Sequence, residues 1–115
     1  MKRFTSAVFA ALFGSLVITA AHADSGVTQI GDLQRGTMVK VQGTVERITD
    51  EDEFRLADSS GAVRIYVGPN WVPVDVGEAV TVDGFVDDGF GPLEIYARSL
   101  TRADGTVVAF ERRYD

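Results

Sequence analysis

Alternation of apolar and polar residues dominates the chain from residue 38 onward. Residues 38–48 read MVKVQGTVERI, and their three valines share one parity while polar side chains occupy the other. Side chains alternate between the two faces of a β-strand, so this pattern predicts a long strand with one buried face. Gly43 falls on the apolar parity and Ile48 breaks it, as is typical of a strand that bends or bulges while a barrel closes.

The same alternation predicts four further strands. They are FRLAD at 54–58, VRIYV at 63–67, AVTVDGFV at 79–86 and LEIYA at 93–97. The inner parity of these segments consists of Phe54, Leu56, Val63, Ile65, Val67, Val80, Val82, Gly84, Val86, Leu93, Ile95 and Ala97. The pair Asp104-Gly105 is a signature of a tight hairpin, and it predicts a short additional strand over residues 106–110.

The connections carry different signals. Residues 68–78, GPNWVPVDVGE, contain too many prolines and glycines for a regular helix. We therefore expect an irregular crossover, with Trp71 packed as a plug over one end of the barrel. Before the first strand, residues 24–36 place apolar side chains at three-residue spacing, which predicts one or two short helical turns ended by Gly36. Side chains at 24, 25 and 28 are available as caps of these turns.

The elements together predict an all-β fold. Five strands, the first long and interrupted by glycine, with a longer connection after the third, are typical of a small five-stranded Greek-key OB-fold barrel. The short N-terminal helical turn and the extra C-terminal strand are additions to it. An SH3-like barrel or a small sandwich uses similar strands, and periodicity does not determine their order in space.

The first 23 residues predict a cleavable signal peptide. Lys2 and Arg3 precede an apolar run from Phe4 to Ala21, and Ala21-His22-Ala23 offers small residues at the positions that signal peptidase recognises. We expect residues 1–23 to be the signal peptide and residues 24–115 to be one OB-fold domain in the periplasm. The alternative is a membrane anchor, because a span needs about 20 apolar residues.

Composition restricts the chemistry of the predicted domain. The chain has no Cys, and its single histidine, His22, lies in the signal peptide. Catalysis by Ser-His-Asp or Cys-His, and zinc sites made of His or Cys, are therefore excluded for residues 24–115. No pair of carboxylates is recognisable as catalytic, so we predict neither an enzyme nor a cofactor.

Charge restricts the partners. Residues 24–115 hold nine basic and 17 acidic residues, a formal charge of −8. Such a domain repels nucleic acids and suits a cationic partner, although acidity is also typical of a soluble surface. The acidic segments Asp50–Glu53 and Asp87–Asp88 lack the spacing of an EF-hand loop, so no metal site is predicted.

Several aromatic and arginine side chains are candidates for ligand contacts. Those that point away from the predicted core by parity are Arg55, Arg64, Tyr66, Phe85, Tyr96 and Arg98. On the usual binding face of an OB barrel such groups stack on flat or sugar-like ligands. The alternative is a barrel surface on which Arg and Tyr cover each other and pair with carboxylates. Trp71 and Phe90, the latter between two glycines at a loop tip, complete the set.

Certain segments resemble a known family. VKVQGTVE from Val39, FRLADSSGAVRIYV from Phe54, Trp71 with Pro73, and VTVDGFVD from Val80 followed by LEIYA are similar to the bacterial periplasmic OB-fold (BOF) family of YgiW-like and YdeI-like stress tolerance proteins. The resemblance covers residues 28–102. It implies a non-enzymatic periplasmic protein of the stress response with a ligand on the usual OB face. The Pro-rich connection after Val67 and the DDGFGP loop depart from the family pattern.

Two functional hypotheses follow. The first is a periplasmic OB-fold protein of envelope stress tolerance that binds a small or cationic ligand. The second is an adaptor whose sheet edge and Phe90 loop dock an envelope protein or peptidoglycan. Binding of single-stranded nucleic acid rests on the fold alone and conflicts with the acidic charge. We expect no stable membrane insertion after the signal peptide is removed.

Overall fold

The computed structural model describes residues 26–110. The predicted signal peptide, its cleavage site and the alternative of a membrane anchor lie outside these residues. Within residues 26–110, the structure contains no helix that is long and apolar enough to cross a membrane.

A closed β-barrel forms most of the described chain. After a 3₁₀ helix at Ile30–Asp32, the strands are β1 Met38–Asp50, β2 Glu53–Asp58, β3 Gly61–Tyr66, β4 Ala79–Val86, β5 Glu94–Thr101 and β6 Val107–Ala109. The strand order is β3-β2-β1-β4-β5-β6, and a parallel pairing between β3 and β5 closes the first five strands. All the other pairings between strands are antiparallel. The predicted all-β OB-fold barrel with an extra strand is therefore confirmed.

The long first strand belongs to both sides of the barrel. The first half of β1 pairs with β4, and its second half pairs with β2. Its register against β2 shifts between Val45 and Arg47 and again after Ile48. Near the changeover, a Cβ atom on Gly43 would lie 2.4 Å from the carbonyl oxygen of Ala57, so only glycine fits there without movement. The predicted irregularity of this strand is confirmed.

The barrel interior contains the predicted apolar parity. The largest fully buried side chains are Phe54, Leu56, Ile65, Ile95, Leu100, Val41, Val45, Val67, Val82 and Val86. Leu93 is partly buried and packs against this core. The described residues contain no buried polar or charged side chain, so burial of apolar surface is the main stabilising contribution.

The predicted short helical turn before β1 is confirmed, but it ends at Asp32 and not at Gly36. Only Ile30–Asp32 is helical, and its N-cap residue Gln29 makes no side-chain cap. Val27 instead forms a parallel bridge with Lys40, and the amide of Thr28 donates to the Lys40 carbonyl at 2.8 Å. Pairing with the edge of β1 satisfies these backbone groups, which a longer helix would have paired internally. Ile30 is buried against the core.

The connection from β3 to β4 is irregular, as predicted, but the placement of Trp71 as a plug is wrong. Residues 67–78 form neither helix nor strand, and the Trp71 side chain is 74% exposed. Val74 is buried in the core instead, and Val72 packs partly against it. Two valines therefore fill the space that we assigned to Trp71, which leaves the indole outside.

The last hairpin forms as predicted. The Gly105 amide donates to the Arg102 carbonyl, and Gly105 has φ = 90°. β6 then pairs with the end of β5. Arg98 lies at an irregularity of β5, because the register against β4 shifts between Ser99 and Ala97.

Candidate functional site

Three aromatic side chains lie in a line across the outside of the barrel. Tyr66 of β3 and Tyr96 of β5 are partners in the parallel pairing that closes the barrel. Their rings meet edge to face, with centroids 5.8 Å apart and an interplanar angle of 73°. Phe85 of β4 is the partner of Tyr96 on its other side. The line therefore exists only because the barrel closes between β3 and β5.

Carboxylates border this line. Tyr96 donates its hydroxyl to Oδ1 of Asp87 at 3.3 Å, and Glu53 of β2 is the strand partner of Tyr66. Glu94 precedes Tyr96 by two residues on the same face of β5. We call Glu53, Tyr66, Phe85, Asp87, Glu94 and Tyr96 the aromatic–acid face. Aromatic rings and carboxylates are two kinds of group that attract organic cations in proteins.

One guanidinium accompanies the carboxylates of this face. Arg64 is the β3 partner of Glu94, and its Nε lies 3.6 Å from Oε2 of Glu53. This Nε is buried and has no hydrogen-bond partner in the described structure. The contact with Glu53 is thus an ion pair without a good hydrogen bond. One cation faces three carboxylates, which leaves the face with excess negative charge.

The electrostatics of Glu94 reflect this excess. Burial raises the pKa of Glu94 to about 7, and a hydrogen bond and like charge from Glu53 add to the increase, against the opposing effect of Arg64. Burial also raises the pKa of Tyr96, with a contribution from the charge of Asp87. Glu94 therefore changes its charge near neutral pH, and Tyr96 remains a neutral hydrogen-bond donor.

The other predicted outward residues have separate positions. Arg55 is the β2 partner of Arg64, but its Nε donates to Oε1 of Glu46 at 2.6 Å. Arg98 is exposed at the β5 irregularity, and its carbonyl accepts from the amide of Phe110 at 2.9 Å. Of the eight candidates, the structure therefore brings Tyr66, Phe85 and Tyr96 together, with Arg64 at their border.

Trp71 lies beside the turn between β1 and β2. The amide of the next residue, Val72, donates to the Glu51 carbonyl at 3.0 Å, and the amide of Val67 donates to the Asp52 carbonyl at 2.9 Å. These bonds attach the segment that carries Trp71 to an acidic turn. The backbone that carries the exposed Trp71 is therefore adjacent to the backbone of the acidic turn.

Phe90 is fully exposed at the tip of the loop between β4 and β5. The guanidinium of Arg35 donates to the carbonyl of Gly89 at 2.7 Å and also to that of Gly91. Gly91 has φ = 96°, a conformation that favours glycine. A side chain distant in sequence thus holds both flanks of the loop, and the Phe90 ring projects from it.

The sequence analysis did not identify the carboxylates of the site. Glu53 appeared only within an acidic segment, and Glu94 was not among the candidate residues. Their proximity depends on the parallel β3–β5 pairing, which alternation does not reveal. The one available signal was the outer parity that Glu94 shares with Tyr96.

Two other features carry less chemistry. The described residues contain no group of three or more His, Cys, Asp or Glu side chains that is suited to hold a metal ion. A shallow groove of about 450 Å³ crosses β1 and β4 near the end of β5, lined by Gln42, Gly43, Thr44, Ala79, Val80, Thr81, Thr101, Arg102 and Ala103. None of the predicted site residues lines this groove.

Comparison with known proteins supports the fold. No protein-family model matches the chain, and no curated protein matches it. Among solved structures, the hypothetical protein YgiW from E. coli is similar, with a TM-score of 0.56 and 23% sequence identity. The similarity covers 67% of this chain and 89% of YgiW. The chain thus has the fold of a YgiW-like OB protein, in agreement with the resemblance found in its sequence.

Proposed function

We propose that the protein is a periplasmic OB-fold binding protein that contributes to envelope stress tolerance, and that it binds a small cationic ligand without catalysis. The aromatic–acid face is the proposed binding site. It lies on the strands and beside the two loops, β1–β2 and β4–β5, that OB folds commonly use for ligands.

The observation that carries this proposal is the combination of paired tyrosines with uncompensated carboxylates. Tyr66 and Tyr96 offer ring faces and edges at the surface, Glu53 and Glu94 share the guanidinium of Arg64, and Asp87 accepts a hydrogen bond from Tyr96. A bound ammonium group would supply the missing positive charge and would contact the rings at the same time. The acidic charge of the whole chain would attract cations toward the face.

The cellular setting is supported by two features of the sequence. Residues 1–23 have the pattern of a signal peptide. The sequence resembles the BOF family of stress tolerance proteins, and the chain shares its fold with YgiW. This resemblance supports a role in stress tolerance. A protein that sequesters or senses a cation in the periplasm is consistent with both.

The test is a titration of the purified protein with spermidine at low ionic strength, followed by backbone NMR shifts. We expect the shifts to concentrate on β3 and β5, and Glu94→Gln to weaken binding. Asp104→Asn is the matched control at about pH 8.5, where Glu94 is ionised despite its pKa of about 7, because it then removes the same charge from the distant β5–β6 hairpin. Equal weakening by both variants would indicate only a general charge effect and would contradict a specific site.

The second candidate function is an envelope adaptor, and the Phe90 loop favours it. A fully exposed phenylalanine on a loop fixed by Arg35 is available to fill a pocket of a partner, and aromatic anchors of this kind dominate many protein interfaces. Phe90→Ser distinguishes the two functions. Spermidine binding should survive this change, whereas docking to an isolated envelope partner should be lost. Retention of docking by Phe90→Ser would contradict the adaptor function.

A further inference from the structure

The acidic β1–β2 turn adjoins the proposed site through the pairing of Asp50 with Glu53, and backbone hydrogen bonds attach the segment that carries Trp71 to this turn; we call Trp71 and the turn the second cluster. Trp71 is 74% exposed beside the β1–β2 turn, whose residues Asp50, Glu51 and Asp52 form no ion pair with a basic side chain in the described chain. Trp is the aromatic residue that binds cations most strongly. Trp71 does not contribute to the core, whereas Val74 and Val72 of the same connection do.

The two clusters are connected by the barrel surface. Tyr96 pairs with Tyr66, Tyr66 pairs with Glu53, and Glu53 pairs with Asp50 at the start of the acidic turn. Neighbouring strands are about 4.8 Å apart, so the path from Tyr96 across β3 and β2 to the turn is on the order of 10–15 Å. The path runs across the strands, and the ring of Tyr66 and the carboxylate of Glu53 lie along it.

We infer that the ligand is a linear oligoamine that lies across the strands with one ammonium group at each cluster. This inference rests on the proposed function and specifies its ligand class. One ammonium group contacts Tyr96 and Asp87, and the other contacts Trp71 and the acidic turn. The methylene chain between them packs on Tyr66. A ligand with a single ammonium group, or with two that are close together, reaches only one cluster.

Basic groups around this path do not prevent such binding. Arg64, Arg55 and Arg47 form the next row below it. Arg64 and Arg55 are paired with Glu53 and Glu46, and Arg47 is exposed at the far end of that row, on β1. Arg35 is engaged by the carbonyls of the Phe90 loop. Along the path itself, the charged side chains of the described residues are carboxylates.

Two diamines of equal charge and different length test the inference. The probes are putrescine, which is short, and decamethylenediamine, which spans both clusters, with decylamine as the single-charge control of equal length. Trp71 is the only tryptophan of the chain, so its fluorescence reports occupation of the second cluster directly. NMR shifts on β3 and β5 report the first cluster in the same samples.

We expect decamethylenediamine to bind roughly fivefold to tenfold more tightly than either putrescine or decylamine, because only this probe places a cation at both clusters. We expect it to change the Trp71 fluorescence and the β3 and β5 NMR shifts with one common midpoint, because a single molecule occupies both clusters. The variant Trp71→Ala should reduce its affinity, measured from the β3 and β5 shifts, to that of putrescine, and should leave the putrescine affinity measured from the same shifts unchanged. Val76→Ala, at an exposed valine of the same connection, is the control for the substitution.

The outcomes separate the two proposals. If all three amines bind at β3 and β5 with equal affinity, or if Trp71→Ala weakens putrescine as much as the long diamine, the inference is wrong and the binding site remains. If no amine shifts β3 and β5, the proposed function fails together with the inference. Because the Trp71 side chain is outside the core, loss of binding in Trp71→Ala would not be attributable to unfolding, which a melting curve verifies.

Discussion

Gly43 lies where β1 passes closest to β2. A Cβ atom there would meet the Ala57 carbonyl oxygen at 2.4 Å, and a Cβ atom on Gly84 of β4 would meet the Tyr96 carbonyl oxygen at the same distance. Both neighbours are backbone atoms of paired strands, which cannot move without displacing the sheet. The two absent side chains therefore allow the barrel to curve as tightly as it does.

We expect Gly43→Ala to destabilise the protein by about 1–3 kcal/mol, the usual cost of an added group in a well-packed interior. The measurement is urea denaturation of the variant and the wild type. Gly61→Ala is the matched control, because the nearest atom to its Cβ would be Ile30 Cγ2 at an ordinary 3.7 Å. Equal stability of Gly43→Ala and wild type would show that the strands separate more easily than the structure indicates.

The raised pKa of Glu94 predicts that the free energy of unfolding depends on pH. Its pKa is about 7 in the folded protein, against a usual 4.5, so between these values the folded state binds the proton more tightly than the unfolded chain. The contribution of Glu94 to stability is therefore fully present below about pH 4.5 and is lost as the pH rises to about 7. We expect Glu94→Gln to gain stability relative to wild type over this range. The measurement is urea denaturation of both proteins at several pH values. If the difference in free energy of unfolding between Glu94→Gln and wild type does not change between about pH 5 and pH 8, the raised pKa of Glu94 is contradicted.

At the scale of elements, Asp58 attaches the 3₁₀ helix to the β2–β3 turn. Its Oδ1 accepts from the amides of Ser60 and Gly61 and from the Ser60 hydroxyl, and its Oδ2 accepts from the Ile30 amide at 2.9 Å. Burial acts to raise the pKa of Asp58, but these hydrogen bonds outweigh it and hold the pKa below its usual value. The Asp58 carboxylate thus holds the backbone of Ile30, whose side chain is buried in the core.

We expect Asp58→Ala to cost about 1–3 kcal/mol, because several backbone donors lose their acceptor. Because the folded pKa is lowered, this contribution is present above the usual pKa of an aspartate and is lost as the pH falls further. Urea denaturation of wild type and variant over an acidic pH series measures both effects. Asp88→Ala, at an exposed loop position, is the control.

Glu78 performs a similar role for the connection between β3 and β4. Arg102 donates to its two carboxylate oxygens at 2.8 and 2.9 Å, and the Asp75 amide donates to Oε1. The hydrogen bonds from Arg102, followed by that from Asp75, lower the pKa of Glu78 to about 2. The pair therefore attaches the end of the connection to the end of β5.

For Glu78→Gln we expect a loss of stability that is largest above about pH 4.5 and that disappears as the pH falls to about 2, where wild-type Glu78 becomes protonated. Thermal unfolding followed by circular dichroism gives the difference at each pH. A loss of equal size at both ends of this range would show that the carboxylate charge is not what holds Arg102.

These elements also show which features of the fold can be predicted from a single sequence. Period-two alternation identified the buried residues of β2 to β4 and the first two of β5, because one face of each strand has to be apolar. It missed Leu100, because the irregularity of β5 after Ala97 changes the parity. The helical turn before β1 was predicted to be longer than it is, because Val27, Ile30 and Leu33 have a three-residue spacing that fits a helix. In the structure Val27 instead forms a strand bridge with Lys40. Trp71 was misplaced because its size predicts burial, whereas two valines in the same connection already complete the core.

On the scale of the whole molecule, the fold was predictable and the site was predictable only in part. Tyr66 and Tyr96 were expected on the outside, but not side by side, because their contact arises from a parallel pairing of strands that are distant in sequence. The same closure brings Glu53 and Glu94 together and raises the pKa of Glu94. Local patterns determine which way each residue faces, and long-range pairing determines its neighbours.

β5 pairs with three other strands, β3, β4 and β6. A chain that emerges from the ribosome or a translocation channel with its N-terminus first lacks this strand until residue 101 has appeared. Before then β3 and β4 have open edges, and the entropy of the unclosed loop opposes their association. We expect a chain that ends at residue 88 to show no cooperative unfolding transition in urea, whereas a cooperative transition would indicate that β1 to β4 fold alone. The closing strand thus delays closure of the barrel until residue 101 has been added to the growing chain.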